Sequence, residues 1–240
     1  MFKRPVSQFI QKTLSKQGRA ELYNDAKGNF KKIQSLYHTP KQHFSQVDQY
    51  LRRLRRPLYY YIIGANLGVF LAWKSNLISY NFLFNHFTLS TMNLRNHRYH
   101  TLLTYSFSHV ELFHFLFNMI TFYFFGRVVE AYFGSKVLLH LWLAGGLTSA
   151  FFINSVNAQT GNMGPAVGAS GAVYAILAYY IMNFPYQTVY LYFFPVQAWI
   201  LGLGLVGLSV LSSERGSGAG HLGGLLAGAG YFLYRRGMKF

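Results

Sequence analysis

From residue 57 onward, apolar runs close to the ~20 residues that a membrane-spanning helix needs follow one another. A buried soluble core is a poor alternative, because only 12% of the chain is charged, against about 25% in soluble domains. Six segments can be drawn, at about 57–75, 101–125, 137–154, 167–184, 188–211 and 218–234. The expected fold is therefore an all-α polytopic membrane protein with six transmembrane helices over residues 57–240, preceded by an extension over 1–56.

Charge places the ends. The chain carries 22 Lys and Arg against 6 acids. Residues 1–56 hold much of that surplus, with only Glu21, Asp25 and Asp48 among the acids. Met1–Arg19 has Lys3, Arg4, Lys12, Lys16 and Arg19, hydroxyls between them and no acid, the pattern of a mitochondrial presequence. The alternative is a solvated basic tail drawn to anionic lipid or to a partner. Arg52, Arg53, Arg55 and Arg56 abut the first span, where positive-inside anchors sit. Six spans put both termini on one side, and Arg127, Lys136, Arg235, Arg236 and Lys239 fall on that side too. Lys74, Arg95 and Arg98 fall on the other. In a mitochondrial inner membrane this sets the termini in the matrix. No nucleic-acid partner is expected, and the absence of cysteine removes disulfide and thiolate chemistry.

Two polar residues stand out in this setting. Ser170 lies in GPAVGASGAVYAILAYYI (164–181) and His221 in GSGAGHLGGLLAGAGYF (216–232). A hydroxyl and an imidazole carried into lipid are functional candidates. Spans two, four and six run in one direction, and Ser170 and His221 sit near the starts of the fourth and sixth, so the two share a depth. Ser217, His221, Gly224 and Gly228 share one helix face. Gly168, Gly171, Gly224 and Gly228 are expected to pack helices closely, as small-xxx-small motifs do. A serine nucleophile needs a base within reach, which His221 supplies. No Asp lies beyond residue 48, so the expected site is a dyad, with Tyr174, one turn after Ser170, stacked on the imidazole. His114 and Asn118, four apart on one face, join the Ser170 N–H as candidate oxyanion donors. Taken singly, each has a plainer reading: Asn118 as interhelical glue, His114 as a structural histidine, the Gly168–Gly171 motif as packing alone. Other hydrolases are disfavoured, since no Asp lies in a span and no His-Glu-x-x-His set exists. His109 and His114 lie about 140° apart around a helix, a poor metal pair. Neither metal nor cofactor is expected.

These residues resemble the rhomboid family of intramembrane serine proteases over about 57–240. The matching pieces are HTLLTYSFSH (100–109), His114-x-x-x-Asn118, Gly126-x-x-x-Glu130-x-x-x-Gly134, Gly168-Ala169-Ser170-Gly171 and Gly220-His221-x-x-Gly224. GPAVGASGA and HLGG look most like the mitochondrial, presenilin-associated rhomboid-like branch. The resemblance implies Ser170 as nucleophile, His221 as base, Tyr174 stacked on it, and His114 and Asn118 as oxyanion donors. It implies single-pass membrane proteins as substrates, admitted sideways near span five, which is rich in aromatics and broken by Pro195. Some features depart from the pattern. Residues 76–100 contain no Trp to anchor the first loop, Arg98 is followed by Tyr99, and Glu111 adds a charge near the site. Residues 1–56 supply none of the extra N-terminal span common in that branch. An alternative role is a rhomboid-fold structural subunit of a larger mitochondrial inner-membrane complex, without working protease activity.

Overall fold

In the computed structural model, which describes residues 57–75, 77–161, 164–191, 194–211 and 215–237, six helices of fourteen residues or more carry the chain. The basic extension 1–56, with its presequence pattern and the Arg52–Arg56 cluster, lies outside the described residues. The first long helix is α1 (Leu58–Ser75). Three short helices follow: α2 (Tyr80–Phe87), α3 (Thr91–Arg95) and α4 (Thr101–Thr104). Then come α5 (Leu112–Phe133), α6 (Ser135–Thr160) and α7 (Ser170–Asn183). An antiparallel hairpin, β1 (Thr188–Leu191) with β2 (Phe194–Gln197), leads into α8 (Ala198–Leu211) and α9 (Arg215–Gly237).

Two expected spans are corrected. The second, drawn as 101–125, is α4, a 3-10 turn (Tyr105–Phe107) and only then α5. Tertiary hydrogen bonds capture the polar pair between them: Trp73 Nε1 donates to Ser108 Oγ (2.7 Å) and the Ala169 N–H donates to His109 Nε2 (3.3 Å). A continuous helix would have forgone both. The fifth, drawn as 188–211, begins as the hairpin, with Pro195 opposite Tyr190, and α8 is only 14 residues long. Proline removes a backbone donor and turns the preceding residue away from helix. By length and composition, α5 and α6 are the two described helices apolar and long enough to cross a bilayer.

α7 sits at the centre, buried along Gly171–Tyr180 except at Tyr174. Glycine lets its backbone meet α6 and α9. A Cβ at Gly224 would strike the Gly171 carbonyl, and one at Gly228 the Ala175 carbonyl. From the other side, a Cβ at Gly145 would lie 2.6 Å from the Ala175 Cβ. Glu130 explains the Gly-x-x-x-Glu-x-x-x-Gly motif. Fully buried, its carboxylate accepts the Leu58 and Tyr59 N–H groups (2.8 and 3.0 Å) and the Ser135 hydroxyl (2.6 Å). A buried charge needs such partners, and α1 gains a negative cap at its N-terminus. Gly126 leaves room for the Phe122 ring, and Gly134, at φ 87°, makes the break between α5 and α6.

Candidate active site

Loop contacts fix the approach to Ser170. Although residues 76–100 contain no Trp, the loop after α1 is anchored by other side chains. Asn93 is fully buried and donates to the Phe84 and Thr88 carbonyls (both 3.0 Å). Arg98 donates to Asn85 Oδ1 and Asn93 Oδ1 (2.8 and 2.9 Å). From this loop Leu89 pairs with Ala166 through both backbone bonds (2.9 and 2.8 Å), and Gly168 N–H reaches the Tyr105 carbonyl (3.1 Å). With the Ala169 bond to His109, the four residues before Ser170 are held at three points. His109 accepts through Nε2, which only a neutral ring can do. Burial, with His114 nearby, pushes it down from 6.5 to about 3.

Ser170 is the first residue of α7, with Ala169 at the N-cap. Gly168 stands before the helix, at φ 131°, so it acts as a turn glycine and not as the helix packer expected. A Cβ there would lie 2.6 Å from His114 Cε1 and 2.8 Å from Nε2. Only a residue without Cβ tolerates both that φ and that approach. Gly171, Gly224 and Gly228 lie in helices at the close contacts described above.

His221 lies in the second turn of α9, and its ring stacks on Tyr174 with centroids 4.2 Å apart and planes 8° from parallel. His114 and Asn118 occupy successive turns of α5; Asn118 Nδ2 donates to the His114 carbonyl (2.8 Å), leaving its second amide hydrogen for another partner. Ser170, His221, Tyr174, His114 and Asn118 all line one cavity of about 520 Å³, whose other walls are mostly apolar, including Phe117 and Phe125 of α5 and Leu201 and Leu205 of α8. A second cavity of about 760 Å³ shares Ser170, His114 and Ser217 with it, and runs toward Asn157, Thr160 and the 164–168 segment. Ser170 and His221 thus share a wall of this cavity. Of the two described carboxylates, Glu111 is exposed and Glu130 caps α1, and the group stacked on the imidazole is Tyr174.

Sequence reasoning passed over His109 as a site residue. Its signal was a polar Ser108-His109 pair inside an aromatic stretch, a pattern that argues for tertiary hydrogen bonds against a continuous span.

Comparison with known proteins assigns the family. A Rhomboid domain model matches residues 96–237. The chain is 38% identical to the mitochondrial rhomboid-like protein 12 of Arabidopsis thaliana, over 70% of this chain and 55% of that protein. It is 29% identical to the mitochondrial presenilin-associated rhomboid-like protein A of Danio rerio, over 72% of this chain and 46% of that protein. It is 28% identical to the mitochondrial rhomboid protein 1 of Saccharomyces cerevisiae, over 77% of this chain and 55% of that protein. The chain spans about half the length of these curated relatives. With the family model covering more than half of its residues, the chain belongs to the rhomboid family.

Proposed function

We propose that the chain is an intramembrane serine protease that cleaves single-pass membrane proteins with a Ser170–His221 dyad. One observation carries this reading: nucleophile, base, the base's stacking partner and both oxyanion candidates open onto a single cavity. His221 takes the Ser170 proton as Oγ attacks the scissile carbonyl, then returns it to the leaving amine. The developing oxyanion is met by His114, the free amide hydrogen of Asn118 and the Ser170 N–H. Water, activated by the same imidazole, then releases the acyl group. The six long helices span the bilayer, and substrate reaches the apolar side of the cavity past α8.

The mitochondrial relatives and the presequence pattern support the inner membrane as the location. The basic residues at the α5–α6 junction and the end of α9 support termini in the matrix. The test is cleavage of a single-pass reporter co-reconstituted in liposomes. Wild type is expected to cut it, Ser170→Ala and His221→Ala to leave it whole, and Asn118→Ala to cut about 10²–10³ more slowly. Cleavage that survives Ser170→Ala would overturn the assignment. A wild type inert toward every reporter would leave the structural-subunit role as the better account.

A further inference from the structure

α6 and α9 pack antiparallel. Near the start of α9, a Cβ at Gly223 would lie 2.9 Å from the Thr148 carbonyl, and one at Gly220 would lie 2.9 Å from Ile153 Cδ1, both in the second half of α6. At the other end His140 Nδ1 lies 3.0 Å from the Tyr231 hydroxyl, with ring centroids 5.9 Å apart. One turn further out on each helix stands a cation: Lys136 precedes His140 by four residues and Arg235 follows Tyr231 by four. Arg235 lies near Tyr179 and Tyr231.

The level of this cluster matters as much as its charge. At 1.5 Å per residue the 26 residues of α6 run to about 39 Å, beyond the ~30 Å hydrocarbon core. Lys136, in the first turn of α6, and Arg235, in the last turn of α9, therefore fall at headgroup depth. Tyr231 and Tyr234 add the aromatic side chains that favour this boundary. Lys136 and His140 are exposed and Arg235 is half-buried. Among the described residues neither Lys136 nor Arg235 makes an ion pair, and Glu130, buried on α1 and Ser135, is the one described carboxylate at this end. Two cations without an ion pair among the described residues, beside a tyrosine hydroxyl and an imidazole at the level of the headgroups, complement a phosphodiester. A soluble acidic partner would instead meet cations on a face turned to water.

We propose that the α6–α9 seam at Lys136, His140, Tyr231 and Arg235 binds the headgroup of an anionic phospholipid. The site is remote from Ser170 and stands whether or not the chain is a protease. The experiment uses the full chain in nanodiscs of phosphatidylcholine with and without phosphatidylglycerol. Native mass spectrometry reads retained lipid, and a phosphatidylglycerol titration gives the apparent affinity. Wild type is expected to retain phosphatidylglycerol selectively. The double variant Lys136→Gln, Arg235→Gln should weaken it roughly thirtyfold, while Arg95→Gln on the opposite side changes nothing. Lys136→Glu, a single exposed change, should weaken retention as well and covers the case in which the double variant does not fold. Equal retention by the variants, equal loss in Arg95→Gln, or equal retention of phosphatidylcholine would overturn the proposal. So would displacement by inorganic phosphate alone, or an acidic peptide that outcompetes phosphatidylglycerol at these residues.

Discussion

The two helices that flank α7 and α9 are held in opposite ways. Toward α6, contact is close: Gly145, Gly171, Gly220 and Gly223 leave no room for a Cβ at that seam, as Gly224 and Gly228 leave none between α7 and α9, and Trp142, Leu138 and Leu141 of α6 are buried. Toward α8, contact is sparse: only Ala198 and Ser209 are buried, and Leu203, Leu208 and Leu211 are 65%, 68% and 82% exposed. Gly204 and Gly207 of α8 meet nothing within 4 Å. Glycine thus does different things in two helices of one chain. In α9 it fixes the distance between the carriers of His221 and Ser170; in α8 it marks a helix whose neighbours are few. The catalytic candidates ride on the tight side, and the cavity wall formed by Leu201 and Leu205 rides on the loose one.

That contrast can be broken most severely at Gly224. Gly224→Leu drives a side chain into the Gly171 carbonyl, and because a backbone atom cannot rotate away, the loss should exceed the ~1–3 kcal/mol of ordinary overpacking. The expected result is a chain that no longer melts cooperatively in detergent, whereas Gly204→Leu on α8 should melt like wild type. Glu130→Ala comes next. It strips three hydrogen bonds from a buried carboxylate and uncaps α1, for a loss of about 3 kcal/mol readable as a lower melting midpoint. Tyr174→Leu should leave the fold intact but remove the ring beneath His221. Its loss of about 0.5–1.5 kcal/mol should lower turnover up to about tenfold, with Tyr174→Phe close to wild type. Smallest in stability is Leu205→Ala, on the α8 wall. It should move the melting midpoint by less than about 1 kcal/mol equivalent while changing which reporter helices are cut. A large drop in melting there would erase the distinction between the two sides.

Much of the tight side was legible in the chain. Glycines at helical spacing beside Ser170 and His221 state close approach directly, because few other roles favour Gly224 and Gly228 in a helix. The loose side was harder. Continuous hydrophobicity over 188–211 reads as one span, and only Pro195 hinted that its first part would leave the helix as β2. The stretch 101–125 misled for a different reason. Its aromatic run is marked only by the polar pair Ser108-His109, and the partners that capture this pair after the helical turn at Phe107, Trp73 and Ala169, are distant in sequence. Gly168 belongs with these cases. Its neighbours suggest packing, yet its need for glycine comes from a positive φ and from the His114 ring across the loop.

The account rests on Ser170 being a nucleophile activated within its cavity, and labelling by a serine-reactive fluorophosphonate in native membranes tests this most directly. The account predicts a covalent adduct on Ser170 in wild type, none in Ser170→Ala, strongly reduced labelling in His221→Ala, and melting unchanged in both variants. An unlabelled wild type that is folded, or label that persists after Ser170→Ala, would contradict it.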